Sequence, residues 1–235
     1  MALLRSSVRI RYAPKINPLF KMKKLIEGIV QFQKKTNNQC KKDFLSLAKS
    51  QNPQALFIGC ADSRIVPSLF TTSLPGDLFI IRNMGNFVTP YAEAMNDCGT
   101  ASAIEFAVCS LKVPDIIICG HSNCGAVKKI LENESIQTPY LKTWLSNGIK
   151  PSERNPDILF NSDLSEEDQF SQLNVLKQIK HLKTYPFIKE KLQAGQIKIH
   201  ALWFDIGNAD VFYYKDNQFI LITEDEGKKI LKSLM

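Results

Sequence analysis

The 235-residue chain has no apolar run approaching the roughly 20 residues that a membrane span needs. It has no Gly-x-Gly-x-x-Gly after any apolar run, which removes a dinucleotide-binding loop. It has no Cys-x-x-Cys, which removes the usual dithiol redox motif. Low-complexity tracts and internal repeats are also missing, so the composition reads as globular. Acids are absent from residues 1–26, which hold Arg5, Arg9, Arg11, Lys15, Lys21, Lys23 and Lys24; the remaining 23 basic residues equal the 23 acids. The formal charge of +7 therefore belongs to the amino-terminal segment. The rest of the chain is electrically balanced, so its composition demands no basic face for phosphate tracking, and neither nucleic acid nor membrane is an expected partner.

Residues 1–21 form a basic leader with two readings. Arg and Ser without acids fit an organellar transit peptide, mitochondrial or other, and the apolar centre of a secretory signal is missing. Alternatively the chain begins naturally at Met22 with MKKLIEGIVQFQKK, residues 1–21 being an upstream extension. That second reading is preferred, and with it a cytoplasmic location. With 44% hydrophobic residues, 22–235 is expected to form a single domain around one core. The six cysteines, Cys40, Cys60, Cys98, Cys109, Cys119 and Cys124, are read as reduced thiols in a chain that needs no disulfide framework. Cys109 and Cys119 lie within apolar runs and read as small core residues.

Apolar positions at helical spacing predict helix over 20–50, stopped by Asn52-Pro53. Four short apolar runs without alternation follow, at 55–60, 78–83, 115–120 and 197–203. Such runs suit parallel strands buried on both faces. Helical patterns at 97–111, 122–133, 166–182 and 185–193 lie between or beside them. Ser165 and Asp168 resemble a capping box for the third, and Gly195 can end the fourth. The stretch 211–223 reads as a hairpin turning at Asp216-Asn217, and a terminal helix is expected over 225–234. A polar loop fills 147–168. The predicted class is α/β: a mainly parallel central sheet flanked by helices, with an amino-terminal helical arm and a carboxy-terminal antiparallel hairpin.

Two strand ends carry chemistry. LFIGCADSR, at 56–64, runs from apolar strand into Cys60, Asp62 and Arg64. IIICGHSNCG, at 116–125, repeats the layout with His121 and Cys124. Sites in open parallel sheets gather beyond the carboxyl ends of strands, so both stretches are expected at one edge. Taken singly, His121 reads equally as a turn residue, Asp62 as a helix cap and Arg64 as a surface charge. If a helix starts at Ser122 or Asn123, Cys124 falls in its first turn, where a thiolate is favoured. Two thiolates and an imidazole suit Zn²⁺, and three protein ligands with a fourth position open is the pattern of catalytic zinc. Arg64 can hold Asp62 by two parallel hydrogen bonds and keep it ionised. His181 and His200, on a helix and a strand, read as structural.

CADSR at 60–64 with GHSNCG at 120–125 resembles the β-class carbonic anhydrases. The resemblance spans about residues 25–225 and includes AKSQNP (48–53), PGDLFIIRNMGN (75–86), GTASAIEFAV (99–108) and TYPFIKEKL (184–192). It implies zinc held by Cys60, His121 and Cys124, one ion per subunit, and a catalytic dyad of Asp62 and Arg64. Asp62 would itself reach the metal only in a closed form. It maps Gln51, Phe79, Met84 and Phe106 onto the pocket for carbon dioxide and bicarbonate, at the interface of a homodimer or dimer-based tetramer. The implied reaction is reversible hydration of CO₂ to bicarbonate and a proton. Alternatives are a carbonyl sulfide or carbon disulfide hydrolase on the same fold, and a non-catalytic zinc-stabilised binding protein. Phe106 falls where many plant-type members have Tyr, Met84 where Val is common, and Ala61 where Ser is frequent. One branch of the family binds regulatory bicarbonate through Trp, Arg and Tyr; Phe57, Arg82 and Phe204 fall there, so the resemblance implies no such site. Two thiolates offset the charge of the zinc, so activity is expected to rise above neutral pH.

Overall fold

The computed structural model describes residues 22–35, 38–96, 98–132 and 136–234; the readings of residues 1–21 lie outside them. Two compact units result, one ending at Lys49 and the other spanning Ser50–Met235. The first contributes α1 (Met22–Lys35) and α2 (Asn38–Leu47), where periodicity predicts helix across 20–50. Phe32 and Phe44 meet edge to face, with ring centroids 6.5 Å apart. Leu25, Ile26, Ile29 and Val30 stay exposed along α1.

The second unit runs β1 (Ala55–Cys60), α3 (Pro67–Phe70), β2 (Leu78–Asn83), α4 (Cys98–Glu105), β3 (Asp115–His121), α5 (Gly125–Leu131), α6 (Pro139–Leu145), α7 (Glu166–Leu182), α8 (Pro186–Gln193), β4 (Lys198–Asp205), β5 (Asp210–Lys215), β6 (Gln218–Leu221) and α9 (Glu224–Leu234). One sheet has the order β2-β1-β3-β4-β5-β6. Its first four strands are parallel and its last two antiparallel. Every residue of β1 is buried, as an apolar strand without alternation requires. Leu56 and Ile58 enter a cluster with Ile104, Ile116, Ile118 and Leu182, whereas Phe57 enters another with Ile65, Cys119 and Phe204. The hairpin turns at Asp216 and Asn217, whose φ values of +51° and +61° match the turn type whose twist suits a two-residue connection.

Three local expectations change. The helix over 97–111 is α4 followed by a π-helical turn, Phe106–Ser110, in which the Leu111 N–H reaches back to the Phe106 carbonyl. Cys109 lies exposed on that turn and is not a core residue, whereas Cys119 is buried. The helix after β3 starts at Gly125, with Cys124 just ahead of its first turn as its cap, because Asn123 takes a φ of +56° that no helix accommodates.

Helix α7 packs on β3 and β4 and starts at Ser165, whose hydroxyl accepts from the Asp168 N–H. Its buried face is half polar: Ser171, Gln172, Asn174 and Gln178 are buried beside Phe170, Leu173, Val175 and Leu182. Burial of such groups is tolerated only when they are hydrogen-bonded. Gln178 accepts from the Val88 N–H at 2.8 Å and donates to the Asn147 carbonyl and Asn174 Oδ1, each at 3.0 Å. Gln178→Ala would orphan the N–H of fully buried Val88 and remove the donor of the half-buried Asn147 carbonyl. It is expected to cost about 3 kcal/mol, since each stranded buried group costs about 1–3 kcal/mol. Urea unfolding measures this, and a loss under about 1 kcal/mol would place water at those groups.

Candidate metal centre

β1 and β3 are parallel neighbours in register, Gly59 opposite Cys119. Both strands therefore end at one edge, and Cys60 and His121 are their last residues. Two residues of turn then bring Cys124 back. The Sγ atoms of Cys60 and Cys124 and a ring nitrogen of His121 lie within 4.8 Å of one another, and all three residues are buried. Bonds of about 2.3 Å to sulfur and about 2.0 Å to nitrogen place tetrahedral zinc ligands roughly 3.5 Å apart, so little adjustment is needed.

Two further observations test the fit. His121 Nδ1 is 2.9 Å from the Ser122 carbonyl; that oxygen accepts only, so Nδ1 carries the proton and Nε2 keeps its lone pair. Nε2 is buried without a hydrogen-bond partner, a costly arrangement unless it ligates something. The Cys60 thiol is held down chiefly by the Cys124 thiol, against the effect of its burial, with further help from the His121 ring and the Gly85 N–H. Cys124 is pushed up, because its proton is shared with Cys60 and because it is buried. A pair of sulfurs sharing one proton, beside an orphaned imidazole lone pair, is a donor set that fits a divalent metal.

The loops are held from several sides. The N–H groups of Asp62 and Gly85 each approach Cys60 Sγ at 3.4 Å. Gly85 reaches this position with φ +81°, and a Cβ there would lie 2.5 Å from the Phe87 ring, so only glycine fits. The Ser171 hydroxyl on α7 donates to the His121 carbonyl at 2.6 Å and accepts from Trp203 Nε1 at 3.1 Å. Ser122 Oγ donates to Asp205 Oδ1 and accepts from the Ile206 N–H, which ties the turn to the end of β4.

Asp62 and Arg64 form a two-pronged pair: Nε donates to Oδ1 at 2.9 Å and Nη2 to Oδ2 at 2.8 Å. The Arg64 N–H adds a third bond to Oδ1 at 2.9 Å. These bonds hold the Asp62 carboxyl well below the usual range, at about 2. It is a carboxylate at any physiological pH, and it stands outside the three-donor group. Arg82, on β2 opposite Gly59, donates to the carbonyls of Cys60 at 3.0 Å and Asp62 at 2.7 Å. Sequence reading matched Arg82 only to a regulatory site; here it braces the loop that bears the ligand and the carboxylate. Phe57 and Phe204 are buried, and Phe204 stacks on Phe70 at 4.8 Å.

Of the four residues read as pocket lining, one chain brings only Met84 to the centre, packed on the cluster that contains Cys60 and Cys124. Its carbonyl is fixed by Trp144 Nε1 at 2.7 Å. Phe79 and Phe106 pair with each other, centroids 5.9 Å apart, with Phe79 packed on a separate cluster. Phe106 is 45% exposed, and Gln51 is exposed as well. His181 and His200 lie elsewhere: His181 meets the Val88 carbonyl, and His200 lies between Asp115 and Tyr213.

An open, mainly parallel sheet that delivers two thiols and an imidazole to one point, beside a carboxylate held ionised, defines a zinc-dependent enzyme. A family model described as carbonic anhydrase matches residues 55–211. The carbonic anhydrase of Pseudomonas aeruginosa is 35% identical over 206 residues, covering 86% of this chain and 93% of that protein. Among solved structures, the β-carbonic anhydrase CcaA superposes with a TM-score of 0.75 at 36% identity, over 86% of this chain and 99% of that one. A structure from work on two tetrameric β-carbonic anhydrases of Sordaria macrospora gives 0.66 at 30% identity, over 82% and 95%. The chain belongs to the β-carbonic anhydrase family.

Proposed function

We propose that this chain catalyses the reversible hydration of carbon dioxide to bicarbonate and a proton, with one Zn²⁺ held by Cys60, His121 and Cys124. The observation that carries the proposal is the buried three-donor group with an ionised carboxylate beside it. Zinc bound there supplies Lewis acidity, which lowers the pKa of a coordinated water toward neutrality. The protein supplies the rest. The Asp62 carboxylate only accepts hydrogen bonds, so it orients the attacking water by taking one from it. Arg64 occupies both carboxylate oxygens from the side and limits Asp62 to that task. Arg82 fixes the backbone of the same loop. Met84 offers an apolar wall to a substrate without a dipole, and Gln51 is a donor suited to a bicarbonate oxygen.

The proposed working unit is a homodimer or a tetramer built from dimers. Support comes from apolar surface the single chain leaves uncovered, namely Leu25, Ile26, Ile29 and Val30 on α1, and Ile80 and Phe106 on the second unit. Pairing would also bring Phe79 and Phe106 to the site as lining. Residues 1–21 are proposed to be dispensable for activity, and the location to be cytoplasmic.

The test is stopped-flow CO₂ hydration by zinc-loaded protein from pH 6.5 to 9. Turnover rising with pH is expected. A flat profile would overturn the electrostatic argument. No turnover of CO₂, with turnover of carbonyl sulfide or carbon disulfide, would overturn the substrate assignment.

A further inference from the structure

The Asp62–Arg64 pair is anchored to the other ligand-bearing loop. The same Arg64 Nη2 that donates to Asp62 also donates to the Asn123 carbonyl at 3.0 Å. Asn123 lies between His121 and Cys124 and holds a φ of +56°, a left-handed conformation that Asn adopts more readily than most non-glycine residues. Its N–H donates to Asp168 Oδ1 at 2.7 Å. Asp168 is in the first turn of α7, with its own N–H taken by Ser165 Oγ at 3.1 Å. A continuous run of hydrogen bonds thus leads from α7 through Asn123 and Arg64 to Asp62.

The Arg64 side chain is 43% exposed. An ion pair at that exposure is weakly held by itself, because a long side chain must give up its freedom to keep one geometry. A second acceptor on a fixed backbone changes this. The Asn123 carbonyl can serve only while this left-handed residue keeps its orientation, and the Asp168 bond grips its N–H.

We propose that Asp168 is a positioning residue which, by clamping Asn123, sets the Arg64 guanidinium and so keeps Asp62 in its working orientation. The proposal rests on the CO₂-hydration reading for its kinetic consequences, but its geometric claim concerns this chain alone. The three acids that open α7, Glu166, Glu167 and Asp168, would also favour the helix start by charge. A pure charge role predicts equal harm from Asp168→Ala and Asp168→Asn. The clamp predicts otherwise, since an Asn side-chain oxygen can still accept from Asn123.

The experiment compares the zinc-loaded wild type with D168A, D168N, R64A and the R64A/D168A double variant. It measures kcat and KM and also records the Arg64 Nε–H resonance by ¹H–¹⁵N NMR. D168A is expected to lose about tenfold in kcat/KM, mainly in kcat, as for residues that act through a neighbour. D168N should stay within about twofold, and D168A should add nothing to R64A, the non-additivity expected of residues acting as one unit. The Nε–H signal should remain that of a bonded guanidinium in wild type and D168N and move to the free position in D168A. Asp168→Ser, too short to reach Asn123, gives the same reading should the alanine variant fold poorly. Equal losses in D168A and D168N, additive losses with R64A, or an unmoved Arg64 signal in D168A would each overturn the proposal. If the wild type does not hydrate CO₂, the functional reading falls, and the NMR comparison still decides whether the clamp exists.

Discussion

Cys60→Ser is expected to lose zinc and to lower CO₂ hydration by more than about 10³-fold, because water without the metal is far from ionised at neutral pH. Serine is a poor zinc ligand at neutral pH and cannot reproduce the acidified sulfur at this position. The remaining imidazole and thiol form an incomplete set. Metal content by atomic absorption and turnover by stopped flow should therefore fall together. The fold should survive: the largest apolar cluster, with Leu56, Ile58, Ile116 and Ile118, contains none of the three ligands. Far-UV circular dichroism should look the same in the variant and in chelator-treated wild type. Thermal stability supplies an internal control. Zinc at a thousandfold excess over its Kd stabilises the form it binds by about 4 kcal/mol, so wild type should gain Tm on zinc addition and Cys60→Ser should not. Full zinc content and normal turnover in the variant would overturn the ligand assignment.

Arg64→Ala is expected to keep its zinc and lose about 10²-fold in kcat/KM, the scale on which one preorganised polar contact contributes to catalysis. The reason is orientation, and the direction of the pKa change separates it from ionisation. Arg64 holds the Asp62 carboxyl down at about 2; removing the guanidinium returns it upward to about 4, the ordinary value for Asp. Both values lie far below 7, so Asp62 remains charged in the variant at assay pH. Raising the pH should accordingly restore no more activity than it adds in wild type. Arg64→Lys restores charge but offers a point donor in place of a fork, and only partial recovery is expected. The Tm should move little, because an ion pair with a 43% exposed partner contributes at most about 1 kcal/mol. A variant with normal kcat/KM would remove the dyad from the mechanism.

Much of the architecture was legible in the residues. The strands at 55–60 and 78–83 match their apolar runs residue for residue; burial on both faces explains this for β1, whereas β2 lies at the sheet edge with Ile80 and Arg82 exposed and so departs from the expected two-sided burial. The hairpin was readable from Asp216-Asn217 for the same kind of local reason. The helix Pro139–Leu145 was not anticipated; it is short, and about two turns show little periodicity. The polar interior of α7 was invisible, since Ser171, Asn174 and Gln178 look like a solvated face until their distant partners are known. Apart from the bond between Gln178 and Asn174, their partners lie 25 to 90 residues away. The roles of Arg82 and Asn123 also depend on strand register and on one left-handed residue, neither of which spacing reveals. The two zinc-type loops were recognisable because ligand chemistry is written in residue identity. What lines the pocket was less so: Met84 meets the centre within one chain, whereas Phe79 and Phe106 do not.

The helix that secures both ligand loops comes late in the chain. Cys60 and Cys124 are made well before Ser171, Asn174 and Trp203, which hold their loops in place. On a ribosome, the strands that carry the ligands can emerge long before anything can lock their ends. Contacts between such distant residues close slowly, so the ligand loops of the nascent chain pass through an interval in which their braces from α7 and β4 are not yet in place. The order of synthesis thus makes the braced form of both ligand loops a late event, which waits for α7 and β4 to pack against them.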